Sequence, residues 1–265
     1  MNYKLLFPTY RTRYRFVRDQ VTTLKPCSGF SRTLNVGSGE GDYDPMISTV
    51  CQELISCDIN PSDVDFARTL NQHIKGLSYR VQSAMGLEFT DGEFDLVVSV
   101  DVFEHVEDPR QMLRQISRVM MPGGIAVITF PQTRFPITYD PINYFAGSRL
   151  VSLGAYAFGH SSLIDGTDFE TWVQEEGMQV LVKKNLSGAL IGAMELYWPG
   201  ILQGLLKANS GNSQKRGGDT RGLRPSSGEP SMVKLTDFLI DLDNRCFQGA
   251  SNSIGLGYVL RKPHS

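Results

Sequence analysis

Cysteine and histidine are both scarce here, with four of each in 265 residues. Cys27, Cys51, Cys57 and Cys246 form no C-x-x-C pair and no metal-ligand spacing, which excludes a disulfide scaffold or a zinc ribbon. The reading is of reduced thiols in a cytoplasmic protein with no metal site. An excess of charge of one sign is also missing. Twenty-six Lys and Arg against 28 Asp and Glu give a net charge of −2, so nothing pulls the whole chain toward nucleic acid or an anionic membrane. The opening "MNYKLLFPTYRTRYRFVRDQ" lacks the apolar core and small-residue cleavage site of a secretory leader. Its arginines, Arg11, Arg13, Arg15 and Arg18, read as the solvated side of a helix, with contact to an acidic ligand as the other option. No internal repeat is present.

What is there suits a soluble α/β protein: 41% hydrophobic and 20% charged residues, in a length that fits one domain with an elaboration. "RTLNVG" (Arg32–Gly37) reads as a buried strand running into a glycine turn, and "YDPMISTVC" as the helix after it. "ELISCDI", "LSYRVQ", "FDLVVSV" and "IAVITF" follow as strands, with "FDLVVSV" (Phe94–Val100) reading as a strand covered on both faces. Asn60-Pro61 and Asp108-Pro109 mark helix starts, and Pro122-Gly123-Gly124 marks the end of the second of these helices. Strand alternating with helix implies a parallel sheet with right-handed crossovers. Further on, "DGTDFETWVQEEGM" reads as a helix, "QVLVKKNL" as a sixth strand, "MVKLTDFLIDLDNRCF" as a helix and "SIGLGYVLRK" as the last strand.

The glycine turn, "LNVGSGEGDYD", carries the chemistry. Alternate glycines permit a tight strand-to-helix turn and close backbone approach to a ligand. A phosphate-binding loop of the G-x-x-x-x-G-K-[ST] kind needs a Lys-Ser/Thr pair, which is absent, so triphosphate hydrolysis is disfavoured. A dinucleotide turn needs G-x-G-x-x-G/A, and its third glycine position is Asp42. Glycines at 37, 39 and 41 with acids at Glu40 and Asp42 suit a cofactor that carries a positive centre and an amino group. Asp58, about 20 residues on at the end of the next strand, is placed to accept from ribose hydroxyls.

Taken in order, "LNVGSGEGDYD", "CDIN", "FDLVVSVDVFEHVEDP" and "MPGGIAVITFP" resemble the class I S-adenosylmethionine-dependent methyltransferases. The nearest group is the small-molecule type that includes the quinone-biosynthesis O-methyltransferases. The resemblance spans about Leu34 to Pro131. It implies a Rossmann-like seven-stranded sheet, mostly parallel with the last strand antiparallel, helices on both faces and a helical insertion before the last strand. It also implies S-adenosyl-L-methionine as cofactor. Gly37, Ser38, Gly39 and Gly41 would form the turn under its methionine portion. Asp58 would take the ribose hydroxyls, Ile59 would pack on adenine, and Ser83 and Ala84 would face the adenine edge. Asp101 and Val102 would border the methionine end, and Phe103, Glu104 and His105 would line the entrance of the substrate pocket. The family usually has an acid where Asn35 stands and often one where Ser83 stands. Both residues are kept as cofactor contacts.

Methyl transfer from a sulfonium is a direct displacement, so alignment supplies most of the catalysis. A base is needed when the acceptor is a hydroxyl. Oxygen is the expected target on a small-molecule acceptor. His105 and His160 are the candidate bases, His160 because relatives carry a histidine at the corresponding place. Tyr139, Asn143 and Tyr144 of "YDPINY" are pocket candidates. A partner or scaffold module on a degenerate methyltransferase fold is the alternative reading.

"LSGALIGAMELYWPGILQGLL" (Leu186–Leu206) has the length of a membrane span with the single charge Glu195. Strands expected on either side of it must join one sheet, which argues against a crossing. It reads instead as a lid, a homodimer surface or a helix in a membrane interface, the last allowing a quinone-like acceptor. Residues 209–231, with Lys215, Arg216, Arg221 and Arg224, read as a mobile linker. The expected organisation is one methyltransferase domain over 1–265, with a helical lead-in at 1–31 and an insertion at 187–247.

Overall fold

The computed structural model describes residues 1–132, 164–192, 194, 226, 228–247 and 253–264. The candidates Tyr139, Asn143, Tyr144 and His160 lie outside them, as do most of the apolar stretch and nearly all of the expected linker.

Seven strands form one sheet in the order β3-β2-β1-β4-β5-β7-β6. They are β1 (Phe30–Val36), β2 (Cys51–Asp58), β3 (Leu77–Val81), β4 (Phe94–Val100), β5 (Met120–Pro131), β6 (Gln179–Leu186) and β7 (Gly255–Arg261). Neighbours from β3 through β5 pair in parallel. The last strand, β7, is antiparallel to both β5 and β6, as the family resemblance implies.

Alternation along each strand sends its side chains into two cores. Val97, Ala126, Ile128, Phe130 and Tyr258 face one side, with Met112, Leu113 and Ile116 of α4 (Pro109–Val119) and Phe169 and Val173 of α5 (Gly166–Glu175). Leu96, Val98, Val127 and Val259 face the other, with Phe16, Val17 and Val21 of α1 (Pro8–Leu24). Helices therefore cover both faces. The lead-in helix α1 is part of this cover. A Cβ on Gly257 would lie 2.6 Å from the Phe16 ring, so only glycine on β7 lets α1 come this close.

The capping residues act as their sequence suggests. Asn60 accepts from Ser62 N at 3.1 Å at the start of α3 (Pro61–Leu70), and Asp108 accepts from Gln111 N at 2.9 Å at the start of α4. Three expectations need correction. The helix after the glycine turn is only α2 (Asp44–Ile47). The hydroxyls of Ser48 and Thr49 then bond back to the carbonyls of Pro45 and Met46, the side-chain competition that disfavours helix continuation. Second, α4 stops at Val119. Pro122-Gly123-Gly124 lies inside β5, where Gly123 takes φ +80° and the β4 register shifts between Phe94 and Leu96. Third, two of the four arginines of α1 are not on a solvated face, while Arg15 and Arg18 stay partly exposed. Arg11 and Arg13 are 3% and 6% exposed and engage acids elsewhere in the fold.

The end of the apolar stretch nearest β6 is tied to α6 (Val233–Cys246). Buried Asp243 accepts from the backbone of Gly188, Leu190 and Ile191 at 2.6, 3.1 and 3.2 Å. Among the described residues no helix is long and apolar enough to cross a membrane.

Candidate functional site

Strand order reverses between β1 and β4, and the crevice at their carboxyl ends is where open α/β sheets bind ligands. The glycine turn sits there. Gly37, Gly39 and Gly41 take φ of +72°, +50° and +69°, in the left-handed region that glycine enters without strain. Their reasons differ. A Cβ on Gly37 would collide with Val102, and one on Gly41 with Tyr79, Asp44 and Asn71. At Gly39 a Cβ would meet nothing within 4 Å, so its backbone faces open space. Cys57 O accepts from the amides of Gly37 and Ser38 at 2.8 and 2.9 Å, fastening the turn to β2.

Asp58 caps this arrangement. Its Oδ2 accepts from Gly39 N at 2.8 Å and its Oδ1 from Asn60 N at 2.9 Å. A carboxylate has about four lone-pair sites, so the group fixed by these two amides still has acceptor capacity for a ligand's hydroxyls. Ile59 beside it is 70% exposed, a flat apolar surface at the strand end. Ser83 and Ala84 are half-buried in the loop after β3, where Ser83 Oγ accepts from Met85 N at 3.2 Å.

Beyond the turn, toward β4, lies a cavity of about 300 Å³. Its walls include the candidates Asn35, Gly37, Ser38, Gly39 and Asp101, the turn acids Glu40 and Asp42 expected beside a positive cofactor, and also Lys4, Tyr10, Tyr43 and Asp63, which no motif in the sequence marked. Lys4 Nζ, on the 3-10 turn Tyr3–Leu6, lies 2.7 Å from both Glu40 Oε2 and Asp42 Oδ2. It ties the N-terminal segment across the glycine turn.

Asp101, directly after β4, takes φ +53°, a strained conformation for a non-glycine residue. Three contacts hold it. Its amide donates to Thr129 O at 2.9 Å, and its carboxylate accepts from Thr129 Oγ1 at 3.0 Å and from Arg13 Nε at 2.8 Å on Oδ1. Arg13 reaches it from α1 through the layer above the sheet. Asn35 is buried and donates Nδ2 to Asp44 Oδ1 at 2.7 Å. Asp44, fully buried, also accepts from Ser56 Oγ and the Tyr79 hydroxyl at 2.7 and 2.6 Å. The chain thus sets an amide at the cavity wall and a carboxylate behind it.

The Phe103–His105 turn divides between core and surface. Phe103 is fully buried against Phe130 and Phe169, with ring centroids 6.0 and 5.5 Å away, so it packs in the core and is not on the cavity wall. Glu104 is 1% exposed. Burial, and then the charge of Asp101, push its carboxyl well above the ordinary range. His105 is half-exposed, its Nε2 3.9 Å from Glu104 Oε1. Among the described residues no group of three His, Cys, Asp or Glu could hold a metal ion.

These residues fit S-adenosylmethionine. Open space over Gly39, a pre-oriented carboxylate at Asp58 and an acid-rich cavity match, in order, a close backbone approach, a ribose and a group bearing sulfonium and ammonium charges. Ser38 Oγ is buried with no hydrogen-bond partner among the described residues, a polar atom that bound cofactor can satisfy.

Similarity to known proteins agrees with this geometry. Residues 34–128 match the family model described as a methyltransferase domain. A ubiquinone biosynthesis O-methyltransferase of Xanthomonas euvesicatoria is 26% identical over 178 residues, covering 65% of this chain and 71% of that protein. Among solved structures, a putative sarcosine dimethylglycine methyltransferase from Galdieria sulphuraria superposes with a TM-score of 0.61 at 15% identity, covering 96% of this chain and 86% of that one. The N-methyltransferase NodS from Bradyrhizobium japonicum, in complex with S-adenosyl-L-homocysteine, gives 0.51 at 18% identity over 67% of this chain and 81% of its own. With the match lying over the turn and strand ends that form the crevice, residues 34–128 form a methyltransferase domain, and S-adenosylmethionine is the cofactor that its crevice fits.

Proposed function

We propose that this enzyme methylates a hydroxyl of a small-molecule acceptor. The cofactor would lie across the strand ends, with its adenosine toward Asp58, Ile59, Ser83 and Ala84. Its amino-acid end would lie toward Asn35, the glycine turn and Asp101. The observation that carries the placement is the division of the crevice: a capped carboxylate with spare acceptor capacity on the β2 side and an acid-lined cavity on the β4 side.

Bound S-adenosylmethionine supplies an electrophilic methyl on a sulfonium whose charge disappears as the methyl leaves. The protein's share is to orient and to exclude water. Arg13 and Thr129 fix Asp101, Val102 is wedged against Gly37, and Lys4 closes the N-terminal segment over the turn. A hydroxyl acceptor must lose a proton, and we assign that step to His105 or to His160, the first of which is half-exposed beside Glu104. The preference for oxygen rests on the name of the Xanthomonas relative, which is an O-methyltransferase.

The domain reading belongs to the same proposal: one methyltransferase unit, with the lead-in 1–31 closing the cofactor side and the insertion 187–247 serving as a lid or homodimer surface. Peripheral membrane contact of a cytoplasmic enzyme is a further reading of that insertion. Vesicle flotation with and without residues 195–225 tests it, and equal partitioning of the two proteins removes it.

Calorimetry and a transfer assay test the function together. S-adenosylhomocysteine should bind the wild-type protein, and Asp58→Ala should weaken that binding at least tenfold, the loss expected for a charge-assisted hydrogen-bond acceptor. With labelled methyl donor, phenols and hydroquinones should be methylated in preference to secondary amines. Faster transfer to amines overturns the oxygen assignment. Binding of neither donor nor product would leave the scaffold reading.

A further inference from the structure

The cavity wall carries more acceptors than donors. Glu40, Asp42, Asp63 and Asp101 all contribute carboxylates. Among the donors, Lys4 is shared between Glu40 and Asp42, and the Asn35 amide is given to Asp44. Such a wall suits the positive groups of the cofactor's amino-acid end but leaves its carboxylate to find partners.

Two hydroxyls meet that need. Tyr43, immediately after the glycine turn, lines the cavity and is 8% exposed. Its ring packs against Tyr10 and Tyr14 of α1, with centroids 5.7 and 5.5 Å away, which fixes where the phenol points. Its oxygen is buried and has no hydrogen-bond partner among the described residues. Ser38 Oγ, on the same wall, is in the same position. A buried hydroxyl left unsatisfied costs about 1–3 kcal/mol, so two of them on one cavity wall point to a ligand that pairs with them.

We propose that Tyr43 and Ser38 donate their hydroxyl protons to the α-carboxylate of S-adenosylmethionine, making Tyr43 a specificity-determining residue for the amino-acid end of the cofactor. The assignment rests on the placement of the cofactor under Proposed function. Burial, and then the charge of Asp101, hold the Tyr43 phenol well above its ordinary value. It therefore stays a neutral donor across the physiological range. Arg13, which opposes this shift, adds positive potential near the same group. The surrounding carboxylates are then left for the ammonium and the sulfonium, so the two ends of the zwitterion are sorted between donors and acceptors of one cavity.

The test compares Tyr43→Phe and Ser38→Ala with the wild-type protein by calorimetry, using three adenosine thioethers. S-adenosylhomocysteine has both amine and carboxylate, S-adenosyl-3-thiopropylamine lacks the carboxylate, and 5′-methylthioadenosine lacks the whole amino-acid portion. Each substitution should weaken S-adenosylhomocysteine roughly tenfold, the loss of one hydrogen bond to a charged group, and leave the other two ligands unchanged. Tyr43→Phe keeps the ring and its packing, and an unchanged melting temperature confirms that the fold is intact. Unaltered S-adenosylhomocysteine binding overturns the proposal, as does an equal loss for the ligand without a carboxylate. Failure of the wild-type protein to bind any of the three would instead overturn the cofactor placement.

Discussion

Asn35 hands its side-chain amide to Asp44 at 2.7 Å, and the pair is buried at 3% and 0% exposure. The carboxylate also accepts from Ser56 and Tyr79, so the amide is one of at least three donors around one buried carboxylate. Buried ions persist when hydrogen bonds satisfy them in this way. The acid that the family resemblance leads one to expect at position 35 therefore has a counterpart in Asp44. Its charge sits nine residues later in the chain and one layer deeper.

Placing the expected acid at position 35 itself should consequently do harm. Asn35→Asp sets two carboxylates against each other in a site closed to water, and it removes a donor from Asp44. The expected cost is on the order of 3 kcal/mol, read as a lower urea midpoint. Asn35→Asp with Asp44→Asn reverses the donor and acceptor roles and should recover most of that loss. An Asn35→Asp protein as stable as the wild type would sink this account, and so would a double variant no better than the single.

The sheet was legible because its central strands, such as β4 and β5, carry apolar runs, and because Asn60-Pro61 and Asp108-Pro109 announce helix starts through local capping chemistry. The positions of the turn and of Asp58 at the strand ends were legible for the same reason, since they depend on spacing along the chain. What sequence could not reveal are partners brought together by the fold. Arg13 and Asp101 are 88 positions apart, and Lys4 reaches Glu40 and Asp42 across 36 and 38. Nothing local distinguishes Arg13 from the neighbouring arginines that suggested a solvated face. Phe103 misled for a related reason. Its motif places it next to the crevice, but a ring one position beyond Val102 turns into the aromatic core with Phe130 and Phe169. Tyr43 did carry a readable signal, a phenol directly after a glycine turn, although its burial was not visible.

Glu104 supplies a dependence on pH. Burial and the nearby Asp101 raise its carboxyl well above the usual 4.5, with Arg13 opposing. The folded protein then holds a proton that the unfolded chain releases, so stability falls as pH rises from about 4.5 toward the folded value. Every tenfold difference in proton affinity between the two states corresponds to about 1.4 kcal/mol. Glu104→Gln keeps the shape and removes the titration. Urea midpoints at pH 5 and pH 7.5 should therefore converge in the variant relative to the wild type. Equal slopes in the two proteins would show that the group does not carry this effect.

Asp237 on α6 behaves in the opposite sense. Arg11, its side chain 4% exposed, grips it with two parallel hydrogen bonds, Nε to Oδ1 at 2.9 Å and Nη2 to Oδ2 at 3.0 Å, and gives a third to Glu229 at 2.8 Å. The Arg11 bond is the largest cause of a lowered Asp237 carboxyl. A depressed acid contributes stability above its unfolded value of 3.8, and that contribution disappears as pH falls through the lower folded value. The two carboxyls thus act in separate windows, Asp237 below 3.8 and Glu104 above 4.5. Because the pair joins α1 to α6, its loss should appear as local opening of α6, with the sheet left intact. Backbone amides of residues 233–246 should exchange slowly at pH 7 and lose protection, after correction for the intrinsic rate, as the pH drops below about 4. Arg11→Lys cannot reproduce the two-pronged geometry and should lower α6 protection even at neutral pH. Asp237→Asn should make that protection insensitive to acid. If Arg11→Lys leaves α6 exchange unchanged at pH 7, the helix is held by its apolar contacts, Val233 and Ile240, and the ion pair is only an accompaniment.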